Sequence, residues 1–289
     1  MTNTEFDDFI QAEVEKQKGV SIPVRAGLLE RLLTRKMNCR SMLPNPDDEF
    51  CFPDIGPNYG IISNYMKSIR KNVSNGLNPF EEPVFVEKLS PKGYRLLNGH
   101  HRWAAALQLG IKRIPAKIVN LPLESDITAM IENSRHDRRV TLDLDEVIFR
   151  DESDPNVEKP RRGHKERIRQ GVPALFHFLT KKGYDIWVYS SNYYSIDDIQ
   201  SLFRAYSANV DGIITGIAKQ NTRSSEADKR MKELIANKYK KTIHIDNDSV
   251  VITGGPEKKY AEFPIDAPAE RWAAAVTDII AGIKEEEAE

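Results

Sequence analysis

The chain has 289 residues, 40% hydrophobic and 29% charged, an ordinary balance for a globular protein with real cores and more length than one compact domain usually takes. A formal net charge of −1 excludes a global field that would draw the chain to nucleic acid or a membrane surface. The two cysteines, Cys39 and Cys51, form no CxxC pair, the opening MTNTEFDDFIQAEVEKQKG is polar and acidic, and no apolar run approaches a membrane helix of roughly 18 residues. A cytoplasmic protein with reduced thiols and no membrane partner is therefore expected.

Residues 5–37 read as helical. Phe6, Ile10 and Val14, then Leu28, Leu29, Leu32 and Leu33, fall at helix spacing, with Ser21 and Pro23 interrupting. Four prolines and two glycines make residues 43–60 a loop. A short helix over 61–72 follows, closed by the turn Asn75-Gly76. PVFVEKL (83–89) and YRLLN (94–98) then alternate as strands about the Pro91-Lys92-Gly93 turn. HHRWAAALQLG (100–110) is a strong helix ending in glycine, and IPAKIV (114–119) a buried strand. Residues 1–120 thus form a small α+β domain.

Residues 121–138 read as a linker, with a short helix (ESDITAMIENS) and most of the charged run from Arg135 to Arg139. The second domain spans 139–289. Apolar segments of strand length occupy 140–145, 184–190, 211–216 and 242–246, separated by helices at 171–182, 195–206 and 225–239. That order implies an α/β fold, a parallel sheet with helices on both faces. The tail IKEEEAE reads as a frayed helix end.

VTLDLDEVIFRD places Asp143 and Asp145 where the first of these strands meets its loop, and ligands of open α/β sheets bind outside the carboxyl ends of the strands. Two neighbouring carboxylates repel unless a cation relieves them, and Mg²⁺ does so with hard oxygen ligands. A carboxylate can attack a phosphoryl group while an adjacent acid protonates the leaving oxygen. Ser190-Ser191-Asn192 end the second strand, and Asp246-Asn247-Asp248 end the fourth. Lys229 lies 17 positions before Asp246.

In that order these residues resemble the haloacid dehalogenase superfamily, from about Arg139 onward. The resemblance implies a Rossmann-like domain with a minimal cap. It makes Asp143 nucleophile and magnesium ligand, and Asp145 general acid/base and a metal ligand through its backbone carbonyl. Ser190 would hold the phosphoryl group, with Ser191 as the register alternative. Asp246 and Asn247 would complete the metal shell, with Asp248 beside them. Lys229 would neutralise charge, and Lys219, 27 positions before Asp246, is the alternative. The short polar stretch 151–170 leaves the site open to a large substrate or to a partner domain as lid; its Arg161, Arg162, Lys165, Arg167 and Arg169 are candidate contacts for an anion.

A second candidate lies at NGHHRW. Gly99 lets the backbone turn, and the helix it opens offers unpaired N–H groups to an anion. Asn98, His100, His101 and Arg102 surround the same point, and guanidinium geometry suits phosphate oxygens. LLNGHHRWAAALQLGIKRIPAKIV resembles the ParB/sulfiredoxin fold, and its Gly-His-His-Arg resembles the branch that binds ATP or ADP and includes free-serine kinases. ATP, ADP or CTP is the implied ligand. Sulfiredoxins place a cysteine where His100 stands, so sulfinic-acid reduction is not expected. Partitioning ParB proteins carry Gly-Glu-Arg-Arg and a following helix-turn-helix, both absent here. A kinase would need a base, for which Asp47, Asp48, Glu49 or Glu87 are candidates.

The expected function is a Mg²⁺-dependent phosphatase coupled to a nucleotide-binding, kinase-like domain. Its phosphorylated substrate would be a small molecule, a protein or a nucleic-acid end. The competing expectation is a nucleotide-switched, nucleic-acid-associated binding protein with a non-catalytic dehalogenase-like scaffold.

Overall fold

The computed structural model describes residues 2–17, 20–151, 153–216, 226–254 and 259–283, and the chain divides into two units, Met1–Leu121 and Pro122–Glu289. Both are mixed α/β. Among the described residues no helix is long and apolar enough to cross a membrane.

In the first unit, α1 (Asn3–Glu15) opens on a reciprocal cap between Thr2 and Glu5. It buries Phe6 and Ile10. There follow β1 (Ile22–Pro23), α2 (Leu28–Leu32), β2 (Thr34–Asn38), β3 (Met42–Leu43), α3 (Tyr59–Ser74), β4 (Val84–Ser90), β5 (Tyr94–Asn98), α4 (His100–Gln108) and β6 (Arg113–Ile118). The sheet order is β2-β6-β4-β5-β3, with β1 also pairing β4. Val84, Val86, Leu96, Ile114 and Ala116 face Trp103 and the alanines of α4 in one core.

The helical expectation for 5–37 is corrected. Two stretches of it are helical, Asn3–Glu15 and Leu28–Leu32, but its end is not. Thr34–Asn38 is drawn out as an edge strand because β6 offers it an antiparallel ladder. The leucines that suggested a helical face stay exposed, Leu29 at 75%. Cys39 and Cys51 are free, buried thiols, and loss of water pushes their pKa values up to about 11 and about 12.

The second unit begins with α5 (Glu124–Asn133), inside the segment read as a linker. Its Ile127 is buried with Trp187, Ile214, Met231 and Ile235, so the segment packs as part of this unit. Then come β7 (Arg138–Asp143), β8 (Phe149–Arg150), β9 (Arg167–Ile168), α6 (Val172–Lys181), β10 (Asp185–Ser190), α7 (Ile196–Ala205), β11 (Gly212–Thr215), α8 (Glu226–Lys238), β12 (Lys241–Ile245), β13 (Ser249–Gly254), β14 (Lys259–Pro264) and α9 (Trp272–Gly282). The sheet order is β11-β10-β7-β12-β13-β14.

The first four of these strands are parallel, as expected. The last two extend the sheet as an antiparallel ribbon that the sequence reading left unassigned. Alternation along β7 splits its side chains. Val140 and Leu142 enter a core with α6, α7 and α9, while Arg139, Thr141 and Asp143 share the opposite face with α8. Gly212 allows β11 to lie against Trp187, whose ring stands 2.1 Å from where a Cβ would be. The acidic tail lies outside the described residues.

Candidate active site

Asp143 is the last residue of β7, whose two sheet neighbours, β10 and β12, run parallel to it. The chain leaves the strand in one wide turn, Leu144–Ile148, closed by the Phe149 N–H on the Leu144 carbonyl. Asp143 caps that turn: its Oδ1 accepts the N–H groups of Asp145 (2.8 Å) and Glu146 (2.9 Å). Such single wide turns recur at functional sites. The turn leads into the short β8–β9 ribbon.

The Asp145 carboxylate is clasped by two hydroxyls. Ser190 Oγ donates to Oδ2 and Tyr194 OH to Oδ1, both at 2.5 Å. Ser190 is 3% exposed and also accepts the Asn192 N–H at 2.8 Å. Tyr194 packs edge-on against Phe149. Burial, and then the bond to Asp145, push its pKa up, so it remains a donor at neutral pH. Sequence reading missed Tyr194. Its only signal was an aromatic four positions after Ser190, in a loop without periodicity.

A cavity of about 500 Å³ brings Asp143, Ser190, Ser191 and Asp246 together with Glu146, Arg139, Thr141, Tyr189, His244 and Lys232. Among the predicted residues, Lys229 is exposed and does not line it; Lys232, one helical turn on, does. Lys219 lies outside the described residues. Asp248 is exposed and off the cavity.

Asn247, expected in the metal shell, clamps the loop in this structure. Its amide donates to the Glu146 carbonyl at 2.9 Å and accepts from Arg150 at 3.0 Å. Two of the basic residues after Asp143 are likewise held by rings. Arg169 stacks on Trp272 at 4.2 Å and Arg161 on Tyr206 at 4.9 Å.

Magnesium commonly takes one or two carboxylates, then water and phosphate oxygens. Asp143 and Asp246 fit that donor set at one cavity. The side chains of Asp145 and Asn247 do not, being committed elsewhere. Among the described residues no group of three or more His, Cys, Asp or Glu side chains is placed to hold a metal. Water and substrate oxygens would therefore fill the rest of a metal's shell.

In the first unit, Gly99 stands at φ +93°, and a Cβ there would meet Val84 Cγ1 at 2.7 Å. Glycine is thus demanded by both conformation and space. The histidines after it bond to the proline-rich loop. His100 is buried, and its Nε2 accepts the Asn45 N–H at 3.2 Å, with Asp48 3.4 Å from Nδ1. His101 Nε2 accepts the Asn58 N–H at 3.2 Å. Phe50 packs on both rings. The two histidines, expected as phosphate contacts, pin the proline-rich loop through Nε2 in this structure. Burial pushes both pKa values down, that of His100 to about 4, so both rings are neutral acceptors near pH 7.

Arg102 is buried and remains at the turn, donating to Glu82 at 2.9 Å and lying 3.5 Å from Asn98 Oδ1. Asp47 and Glu49 are exposed in the loop, and Asp48 caps Phe50 at 3.0 Å. Glu87 is buried in β4, 3.6 Å from Arg95, with its pKa raised by burial.

A family model described as the ParB N-terminal domain matches residues 60–134. It contains the segment that suggested the likeness and reaches from α3 through α5. Among solved structures, the chain is similar to the C-terminally truncated chromosome-partitioning protein ParB from Caulobacter crescentus complexed with CTP-gamma-S. The identity is 23%, over 36% of this chain and 54% of that chain, with a TM-score of 0.25. The chain thus spans about half the length of that relative. A conserved hypothetical protein from Pyrococcus furiosus is 13% identical, over 87% of this chain and 100% of that chain, at a TM-score of 0.24. A free serine kinase variant in complex with ADP is 15% identical, over 87% and 96%, at 0.24. No curated protein matches the chain.

Proposed function

We propose that the second unit is a phosphotransferase of the haloacid dehalogenase type that hydrolyses a phosphate ester through an aspartyl-phosphate on Asp143. One observation carries this reading. Asp143 at the end of the central parallel strand shares a cavity with Ser190 and Asp246, while Asp145 two residues on is held by two hydroxyl donors. Asp145 enters the step as the neutral acid; Asp143 attacks phosphorus, the ester P–O bond breaks, and Asp145 gives the departing oxygen its proton. Water then attacks the aspartyl-phosphate and passes a proton to Asp145, which frees Asp143 and inorganic phosphate. Asp143, Asp246 and the backbone carbonyl of Asp145 would hold Mg²⁺, which when bound supplies charge neutralisation at the phosphoryl oxygens.

Hydrolysis of p-nitrophenyl phosphate with and without Mg²⁺, beside Asp143→Asn, tests the reading. Turnover that needs the metal and is lost in the variant is expected, together with a beryllofluoride adduct of the wild type. Absence of both turnover and adduct refutes it.

For the first unit the proposal is nucleotide binding at the Gly99 turn, with a kinase role if a phosphate acceptor is found. Support comes from the ParB N-terminal match and from Arg102, which already holds an anionic oxygen from Glu82, itself 71% exposed and free to give way to a phosphate. Calorimetric titration with ATP, ADP and CTP should show binding that Arg102→Ala removes. The competing reading, a nucleotide-switched binding protein, gains no separate observation.

A further inference from the structure

The cavity beside Asp143 runs well beyond the residues that would meet a phosphoryl group. It lies between the sheet face of Arg139, Thr141 and Tyr189 and one side of α8. Its volume, about 500 Å³, is of the size that takes a small organic ligand.

Four polar groups of its wall, Arg139, Thr141, Tyr189 and His244, are held in hydrogen bonds. Arg139 Nε donates to Thr242 at 3.0 Å and its Nη1 to Tyr189 OH at 2.7 Å, and the guanidinium stacks on Tyr239. Thr141 Oγ1 lies 2.8 Å from His244 Nδ1, and Thr253 Oγ1 lies 3.1 Å from His244 Nε2. Beside Glu146, Ser191, Lys232 and Ser249, the rest of the wall is mainly aliphatic, with Val147, Ile214, Met231, Ile235 and Val251 in it.

We infer that this cavity seats the uncharged, ring-bearing part of an aryl phosphate ester, with its phosphate at Asp143, Ser190 and Asp246. The inference rests on the phosphotransferase reading of that site. A slot between a sheet and a helix suits a planar ring. A sugar or polyol phosphate would bring hydroxyls against the aliphatic side chains and against Arg139, Thr141, Tyr189 and His244, which already have partners, and leaving hydroxyls unpaired is costly.

The test uses the full chain with Mg²⁺. The kcat/KM values for 1-naphthyl phosphate, acetyl phosphate and glucose 6-phosphate are compared in the wild type, in Val251→Trp and in the milder Val251→Phe. Binding of the non-hydrolysable 1-naphthylmethylphosphonate is measured alongside by calorimetry. Thermal melts establish which variant is folded, and the folded one is used.

The wild type should prefer the naphthyl ester, and filling the cavity should lower the naphthyl-to-acetyl ratio and weaken the phosphonate by about tenfold each. If acetyl phosphate is turned over but neither ratio nor phosphonate binding responds to either variant, the inference is overturned and the phosphotransferase reading stands. If no ester is turned over, the phosphotransferase reading falls. Phosphonate binding then decides alone: sensitivity to the Val251 variants upholds the cavity, and its lack overturns it.

Discussion

Replacing His100 with glutamine separates a loop clamp from a phosphate contact. His100 is 4% exposed. Its pKa is pushed from 6.5 to about 4, chiefly by burial, with His101 acting the same way and Asp48 opposing. The folded value lies below the unfolded one, so the native state favours the neutral ring. The stabilisation is complete above pH 6.5 and is lost as the pH falls toward 4. The gap corresponds to about 3 kcal/mol in all, of which about 2 kcal/mol goes between pH 7 and pH 5.

Glutamine can still accept the Asn45 N–H but does not titrate, so His100→Gln should lose that part of the pH dependence. His101 and His244 are shifted in the same direction and contribute equally to both proteins. Native-state hydrogen exchange on peptides from α4 and β4 reports the first unit alone. Equal loss of protection in wild type and variant between pH 7 and pH 5 would refute the reasoning.

Tyr194→Phe removes one of the two donors on Asp145, and a hydrogen bond to a charged group is worth about 1.5–3 kcal/mol. Phosphatase kcat should fall by about tenfold or more with KM little changed; parallel loss of thermal stability alone would point to packing instead. Gly99→Ala should cost the first unit about 2 kcal/mol or more, because the αL conformation and the contact with Val84 both oppose a Cβ. Calorimetric melting measures it, and an unchanged melt would overturn the assignment. If the lysine serving the phosphoryl group is the one at the cavity, Lys232→Met should slow turnover more than Lys229→Met, and steady-state kinetics on both variants decides.

The residues Asp143, Ser190 and Asp246 were legible in the sequence because each closes an apolar run of strand length, and parallel strands deliver their carboxyl ends to one edge. Gly99 and the alanines of α4 were legible for a similar local reason: a tight turn and a packed helix need small residues in order. Tyr194 was not legible, since its role depends on a bond to Asp145, 49 residues away in the chain. Nor was the lysine at the cavity, because a shift of one helical turn changes which side chain reaches it. The loop contacts of the histidines were not legible either, since their partners are the distant Asn45 and Asn58 backbone N–H groups.

By itself the chain determined its alternation of strands and helices after Arg139, the turn at Gly99, and the acidic strand ends. These follow from period, turn chemistry and the length of apolar runs, all properties of neighbouring residues. Only the tertiary structure decided that Thr34–Asn38 is a strand, that β13 and β14 extend the second sheet, that His100 and His101 pin a loop, and which groups clasp Asp145. Each is a choice among hydrogen-bond partners far apart in the chain. Folding settles that choice by satisfying buried donors and acceptors, and local pattern carries no record of it.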